Sequence, residues 1–168
     1  MNFETILNGF FANFGFIAEV VGILVAVVRA ARGKPFFEEL FRWSVFFGVG
    51  VNCFYSGLGH LFLPEYSANL IGWEDSPFQL EVGSADLAIG VAGLLSFWGN
   101  YGFRLAIAII AAIFYGIDAV GHFRQMALEN NYATGNAGSW LWIDVSMPII
   151  LMITAAVCGL RRSTTEQH

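Results

Sequence analysis

The stretch Phe103-Arg-Leu-Ala-Ile-Ala-Ile-Ile-Ala-Ala-Ile-Phe-Tyr-Gly-Ile-Asp-Ala-Val-Gly-His-Phe123 decides the fold. It is apolar over about the 20 residues that a helix needs to cross the hydrocarbon core of a bilayer. Its ionisable groups stand near its ends, with Arg104 at the start and Asp118 and His122 in the last turns. Four further stretches match it in length and character: about Phe10 to Ala30, with Glu19 inside it; about Trp43 to Leu63, ending at Pro64; about Gln79 to Gly99; and about Trp140 to Leu160.

The whole chain agrees with that reading. Of its 168 residues 57% are hydrophobic and only 12% charged, about half the usual share of a soluble domain. Mean hydropathy is +0.62. The 8 basic and 13 acidic side chains cannot cover the surface of a water-soluble protein of this length. The sequence therefore predicts an all-α, polytopic integral membrane helical bundle. Residues 1–168 form one domain with about five transmembrane helices.

Other classes fall away on the same grounds. A net charge of -5 argues against nucleic acid, which rewards clustered Lys and Arg. Two cysteines cannot staple a secreted scaffold. No Gly-rich phosphate loop stands between a strand and a helix. The opening residues lack a basic region and a small-residue cleavage site, so they do not read as a cleaved leader.

Basic residues set the direction of insertion. Arg29, Arg32, Lys34, Arg42, Arg104, Arg161 and Arg162 fall on one side of the five spans, and Arg124 stands alone on the other. The N-terminus is thus expected outside and the C-terminus in the cytoplasm. Residues 35–42 mix aromatics with charges after Pro35 and are expected to lie along the inner interface. Two outer loops, about Pro64 to Phe78 and Arg124 to Ser139, are long enough to fold over the bundle. Stripes of small residues, Ser84-Ala88-Ala92 and Ala108-Ala112-Gly116, are expected to admit a close neighbouring helix. Gly15 and Gly22 share a helix face with Glu19, which directs that acid towards protein.

An ionisable side chain in hydrocarbon costs at least about 2.5–3.5 kcal/mol on insertion scales, so it normally faces the bundle and has a partner. Seven lie in or near the spans: Glu19, His60, Glu81, Asp86, Asp118, His122 and Asp144. No Lys or Arg lies deep enough to neutralise the acids. Helix direction and rise put His60, Glu81, Asp118, His122 and Asp144, from four helices, at one level under the outer surface. Asp118 and His122 share a face, with Tyr115 one turn earlier. Asn52, Ser56 and His60 form a polar row with Cys53 beside it. Asp86 is five residues from Glu81, roughly 140° around the helix, and is left out of the group.

Two histidines and three carboxylates suit a divalent or redox metal, Fe, Mn or Zn. Di-iron bundles use Glu-x-x-His pairs, whereas this chain has Asp118-x-x-x-His122. The expected site is therefore a metal centre formed by His60, Glu81, Asp118, His122 and Asp144 near the outer leaflet, in an integral membrane protein with oxidoreductase chemistry as one use of the metal. The alternative is an accessory or assembly subunit of a membrane complex with a structural polar cluster. A proton-coupled small transporter is the second alternative. The same side chains can also share protons without a metal, and Glu81 and Asp144 suit the first turns of their helices. Cys53 and Cys158 lie at different depths and are not expected to pair.

Three short motifs carry a resemblance: Ser56-Gly-Leu-Gly-His-Leu-Phe-Leu-Pro64, Glu81-Val-Gly-Ser-Ala-Asp-Leu87, and Gly121-His122 at the end of an Arg-started helix. Over about Phe54 to Met126 the chain resembles small bacterial multispanning membrane proteins of the broad DoxX-like type. The resemblance implies a four-helix bundle in the bacterial inner membrane, in some relatives tied to quinone or thiol redox systems, and this chain departs from it by a fifth expected span. The partners expected are the lipid bilayer, a quinone-like or lipid substrate, and a homo-oligomer or larger membrane complex.

Overall fold

A computed structural model describes residues 9–165, so the reading of residues 1–8 as part of an uncleaved start lies outside it. The described chain folds into helices α1 (Phe14–Ala31), α2 (Phe36–Trp43), α3 (Asn52–Phe62), α4 (Pro64–Ile71), α5 (Phe78–Leu95), α6 (Tyr101–Glu129), α7 (Thr134–Ala137) and α8 (Ser139–Thr165), with a π-helical stretch, Ser44–Val51, joining α2 to α3. No strand occurs among the described residues. Five helical runs, Phe14–Ala31, Phe36–Phe62, Phe78–Leu95, Tyr101–Glu129 and Thr134–Thr164, are long and apolar enough to cross a bilayer. Leu24, Ile113, Ile117, Val120, Ile149 and Ile153 stand more than half exposed on the outside of the bundle. In a membrane these side chains face lipid.

The second long helical run begins at Phe36, seven residues before the apolar stretch read from sequence. Residues 36–43, expected to lie along the interface, run without a break through the π-helical stretch into α3, and α2 packs on α1 and α8. Their charges mislead because they find partners. Arg29 of α1 donates from Nε to Oε2 of Glu39 at 2.6 Å, and the Trp43 indole donates to the same oxygen at 2.9 Å. A Glu neutralised in this way can be buried, and Phe41 beside it is 3% exposed.

Glycine controls the closest helix pair. On α5 the buried residues are Gln79, Gly83, Asp86, Gly90 and Gly93, at alternating steps of four and three. Gly50 and Gly57 face them: a Cβ on Gly50 would stand 2.6 Å from the Leu94 nitrogen, and one on Gly57 2.6 Å from that of Leu87. Only hydrogen in place of a side chain lets the two backbones come this close. The stripes expected from sequence lie elsewhere. Ser84 and Ala88 are exposed, and Gly116 faces open space, although Ala108 is fully buried. On α5 the true seam is offset from the expected stripe by about one residue, or 100°.

The core divides into two ends. Phe41, Val45, Ile107, Ala108, Ala111, Leu151 and Ala155 fill one half with apolar side chains. The other half is polar and lies under the two loops. There Asn131 donates from Nδ2 to the Ile71 carbonyl at 2.9 Å, and a Cβ on Gly135 would lie 2.8 Å from the Leu70 carbonyl oxygen. Asn130 and Gly72 adopt left-handed backbone (φ 53° and 83°) to end α6 and α4 and turn the loops towards each other.

Candidate functional site

A chain of polar side chains begins at the π-helical stretch. Tyr115 of α6 donates its hydroxyl hydrogen to the Gly48 carbonyl at 2.9 Å. That leaves the phenolic oxygen to accept, and the Cys53 thiol at 3.0 Å and Asn52 Nδ2 at 3.4 Å both approach it. Cys53 in turn borders Asp86. Asp86, 4% exposed, accepts from Ser56 at 2.7 Å across the glycine seam. Asp118 and Asp144 lie within electrostatic reach of Asp86 and of each other.

The chain ends in a histidine whose protonation pattern is fixed by its neighbour. Asn136 of α7 is fully buried. Its Nδ2 donates to the Asn131 carbonyl at 2.8 Å and, more weakly, to the His122 carbonyl at 3.4 Å. The amide oxygen is therefore the atom facing His122 Nδ1, at 2.7 Å, and Nδ1 must carry the hydrogen. His122 Nε2 stands 3.2 Å from Asp144 Oδ2. Either the imidazole holds two protons beside a carboxylate, or it holds one and accepts from a protonated Asp144. One proton is shared across that contact in both cases.

The five residues singled out by sequence separate into two groups. His122 and Asp144 meet, and Asp118 lies within electrostatic reach of both. His60 is directed elsewhere, with Nδ1 2.6 Å from Oε1 of buried Gln79, and no hydrogen bond or ion pair among the described residues joins it to His122. Glu81 is exposed in the first turn of α5. Asp86, set aside in the sequence reading, is the acid that α5 turns inward. The 140° between the two acids was right, but it is Asp86 that shares the glycine face. Its signal was present as the series Gln79, Gly83, Asp86, Gly90, Gly93. Gln79, the amide that meets the His60 ring, heads the same series, whereas Asn136, which holds His122, carries no comparable pattern.

Among the described residues, no three His, Cys, Asp or Glu side chains gather closely enough to hold a metal ion. The His122 and Asp144 atoms supply two donors of the right chemistry, and Asp118 is within electrostatic reach of both. On the other side of the bundle Glu19 is buried, as its glycine face requires. Its Oε1 accepts from Ser146 at 2.8 Å, while Oε2 has no partner.

No curated protein and no solved structure matches the chain. A family model described as a family of unknown function (DUF6790) matches residues 9–163. The comparisons show no DoxX-like family, the likeness that the short glycine motifs suggest. With the match spanning nearly every described residue, the chain belongs to the family of unknown function DUF6790.

Proposed function

We propose that this is a proton-handling membrane protein, in which His122 and Asp144, backed by Asp118 and Asp86, take up and pass a proton between the loop end and the middle of the bundle. The observation that carries the reading is the Asn136 amide, whose donor pattern leaves one proton shared between His122 Nε2 and Asp144. Charge balance supports it. Three aspartates with one imidazole as their nearby basic group would place two or more negative charges in a low-dielectric interior, so protons or a cation must accompany them.

The polar chain stops at Tyr115 and Gly48, and the apolar half of the core begins there. A carrier needs polar groups on both sides of the midplane. The arrangement better suits an accessory subunit that supplies or removes protons for a partner in the bilayer. By the charge bias of the loops, its polar half faces outward.

A metal centre is the second reading, and one observation favours it. Both imidazoles present Nδ1 to an amide oxygen, the orientation in which ligating histidines leave Nε2 to the ion. Infrared difference spectra of the reconstituted protein, stepped in pH, separate the two. On the proton reading, protonated-carboxyl bands appear, Asp144→Asn removes one, and His122→Ala moves it. Absence of any such band in the wild type sinks the proposal. Near-stoichiometric Fe, Mn or Zn lost in His122→Ala and Asp144→Asn would then support the metal.

A further inference from the structure

At the opposite end of the bundle, α2, the start of α6 and the last turns of α8 line a partly open cavity of about 90 Å³. Arg42, Arg104 and Arg162 line it, with Glu38, Glu39 and Tyr101. A single water needs only about 10–15 Å³ of such space, so the cavity has room for several waters or one phosphoryl group.

No carboxylate among the described residues makes a hydrogen bond or ion pair to Arg42, Arg104 or Arg162, although Glu38 and Glu39 lie within electrostatic reach. Arg42 donates from Nη2 to the Phe97 carbonyl at 3.1 Å and lies 4.6 Å from the centre of the Phe97 ring. Arg104 donates from Nε to the Ser96 carbonyl at 3.0 Å and from Nη2 to that of Phe97 at 3.2 Å. Arg162 lies over the Tyr101 ring at 5.0 Å. Carbonyls and ring faces attract a cation but carry no net charge. Of the two acids, Glu39 already serves Arg29 and Trp43. The charges of Arg42 and Arg162 act on Arg104 more strongly than those of Glu38 and Glu39. Arg42 Nε is buried with no hydrogen-bond partner.

Three guanidiniums converge on one small cavity, and the buried Arg42 N–H has no partner, so the lining offers several donors to an anion. Pinning turn carbonyls accounts for Arg42 and Arg104 individually, but it explains neither the convergence of a third arginine nor the orphaned Nε. Arginine forks match phosphate oxygens in geometry as well as charge. We propose that this cavity binds a phosphoryl anion, either the headgroup phosphate of an anionic lipid or free phosphate. The helix ends that form it stand where headgroups lie if the five long helices span a bilayer.

Thermal unfolding of the full chain in dodecyl maltoside micelles tests this. Phosphatidylglycerol is titrated against phosphatidylcholine, and inorganic phosphate against chloride at constant ionic strength. A saturable rise in Tm with phosphatidylglycerol alone assigns a lipid headgroup, and an equal response to phosphate assigns a free anion. Arg162→Gln is the principal variant because its contact with Tyr101 ties no backbone. It should weaken half-saturation roughly tenfold, the effect of losing one charged hydrogen-bond donor pair. The proposal is overturned if neither ligand saturates, or if Arg162→Gln leaves half-saturation within twofold of wild type.

Discussion

Removing the Asn136 side chain should release His122, and the structure sets how much that costs. Asn136→Ala deletes a 2.7 Å bond to His122 Nδ1 and a 2.8 Å bond to the Asn131 carbonyl, both at a fully buried residue. The 3.4 Å contact with the His122 carbonyl adds little. Two buried groups left unsatisfied cost about 1–3 kcal/mol each. Partial rescue within the loops should keep the total near about 3 kcal/mol. The sharper quantity is the coupling to His122. In a double-mutant cycle with His122→Ala, only the Nδ1 bond is shared, since the carbonyl of residue 122 survives the substitution. Intramembrane hydrogen bonds measured this way average about 0.6 kcal/mol and reach about 1.7 kcal/mol. A short bond between fully formed partners belongs in the upper half of that range. Mixed-micelle unfolding titrations of the four proteins supply the cycle. Additivity to within about 0.3 kcal/mol would mean that Asn136 does not hold the imidazole. The derivation of the shared proton would fall with it.

Three further outcomes follow from the packing. Gly50→Ala should lower stability by about 1–3 kcal/mol through overpacking against α5, whereas Gly116→Ala, which meets nothing within 4 Å, should raise it by up to about 1 kcal/mol through helix propensity; paired Tm measurements check both signs. Glu81→Gln should change stability by no more than about 0.5 kcal/mol and leave the carboxyl infrared bands intact, while Asp86→Asn should remove one of those bands. Tyr115→Phe should cost about 1–3 kcal/mol by leaving the Gly48 carbonyl unpaired in the core, read from the same unfolding titrations.

What the sequence reveals of this protein depends on which coordinate is asked for. Position along the bilayer normal is written in the chain, because helix rise and direction follow from length and hydropathy. The level shared by Asp118, His122 and Asp144 was legible for that reason. Rotation about each helix is set by what the helix packs against, and there the reading weakened. Glu81 and Asp86 are both acids near the start of α5, and only the glycine series separates the exposed one from the buried one. That the helix runs unbroken from Phe36 was hidden by Glu39 and Arg42, whose partners Arg29 and Phe97 are distant in sequence. Asn136 was least legible, since a polar residue in a glycine-rich loop gives no sign that it will be fully buried.

The depth at which the polar chain ends bears on electrical behaviour. Gly48, its last acceptor, is the thirteenth of 27 residues in the run Phe36–Phe62, close to the middle of that span. A full elementary charge crossing a membrane gains about 2.3 kcal/mol per 100 mV. A proton that enters from the loop end and stops there traverses only about half of that field, for roughly 1 kcal/mol. A 100 mV change across the membrane should therefore shift the occupancy of these carboxylates by less than one pH unit of the solution bathing that face would, since one unit is about 1.4 kcal/mol.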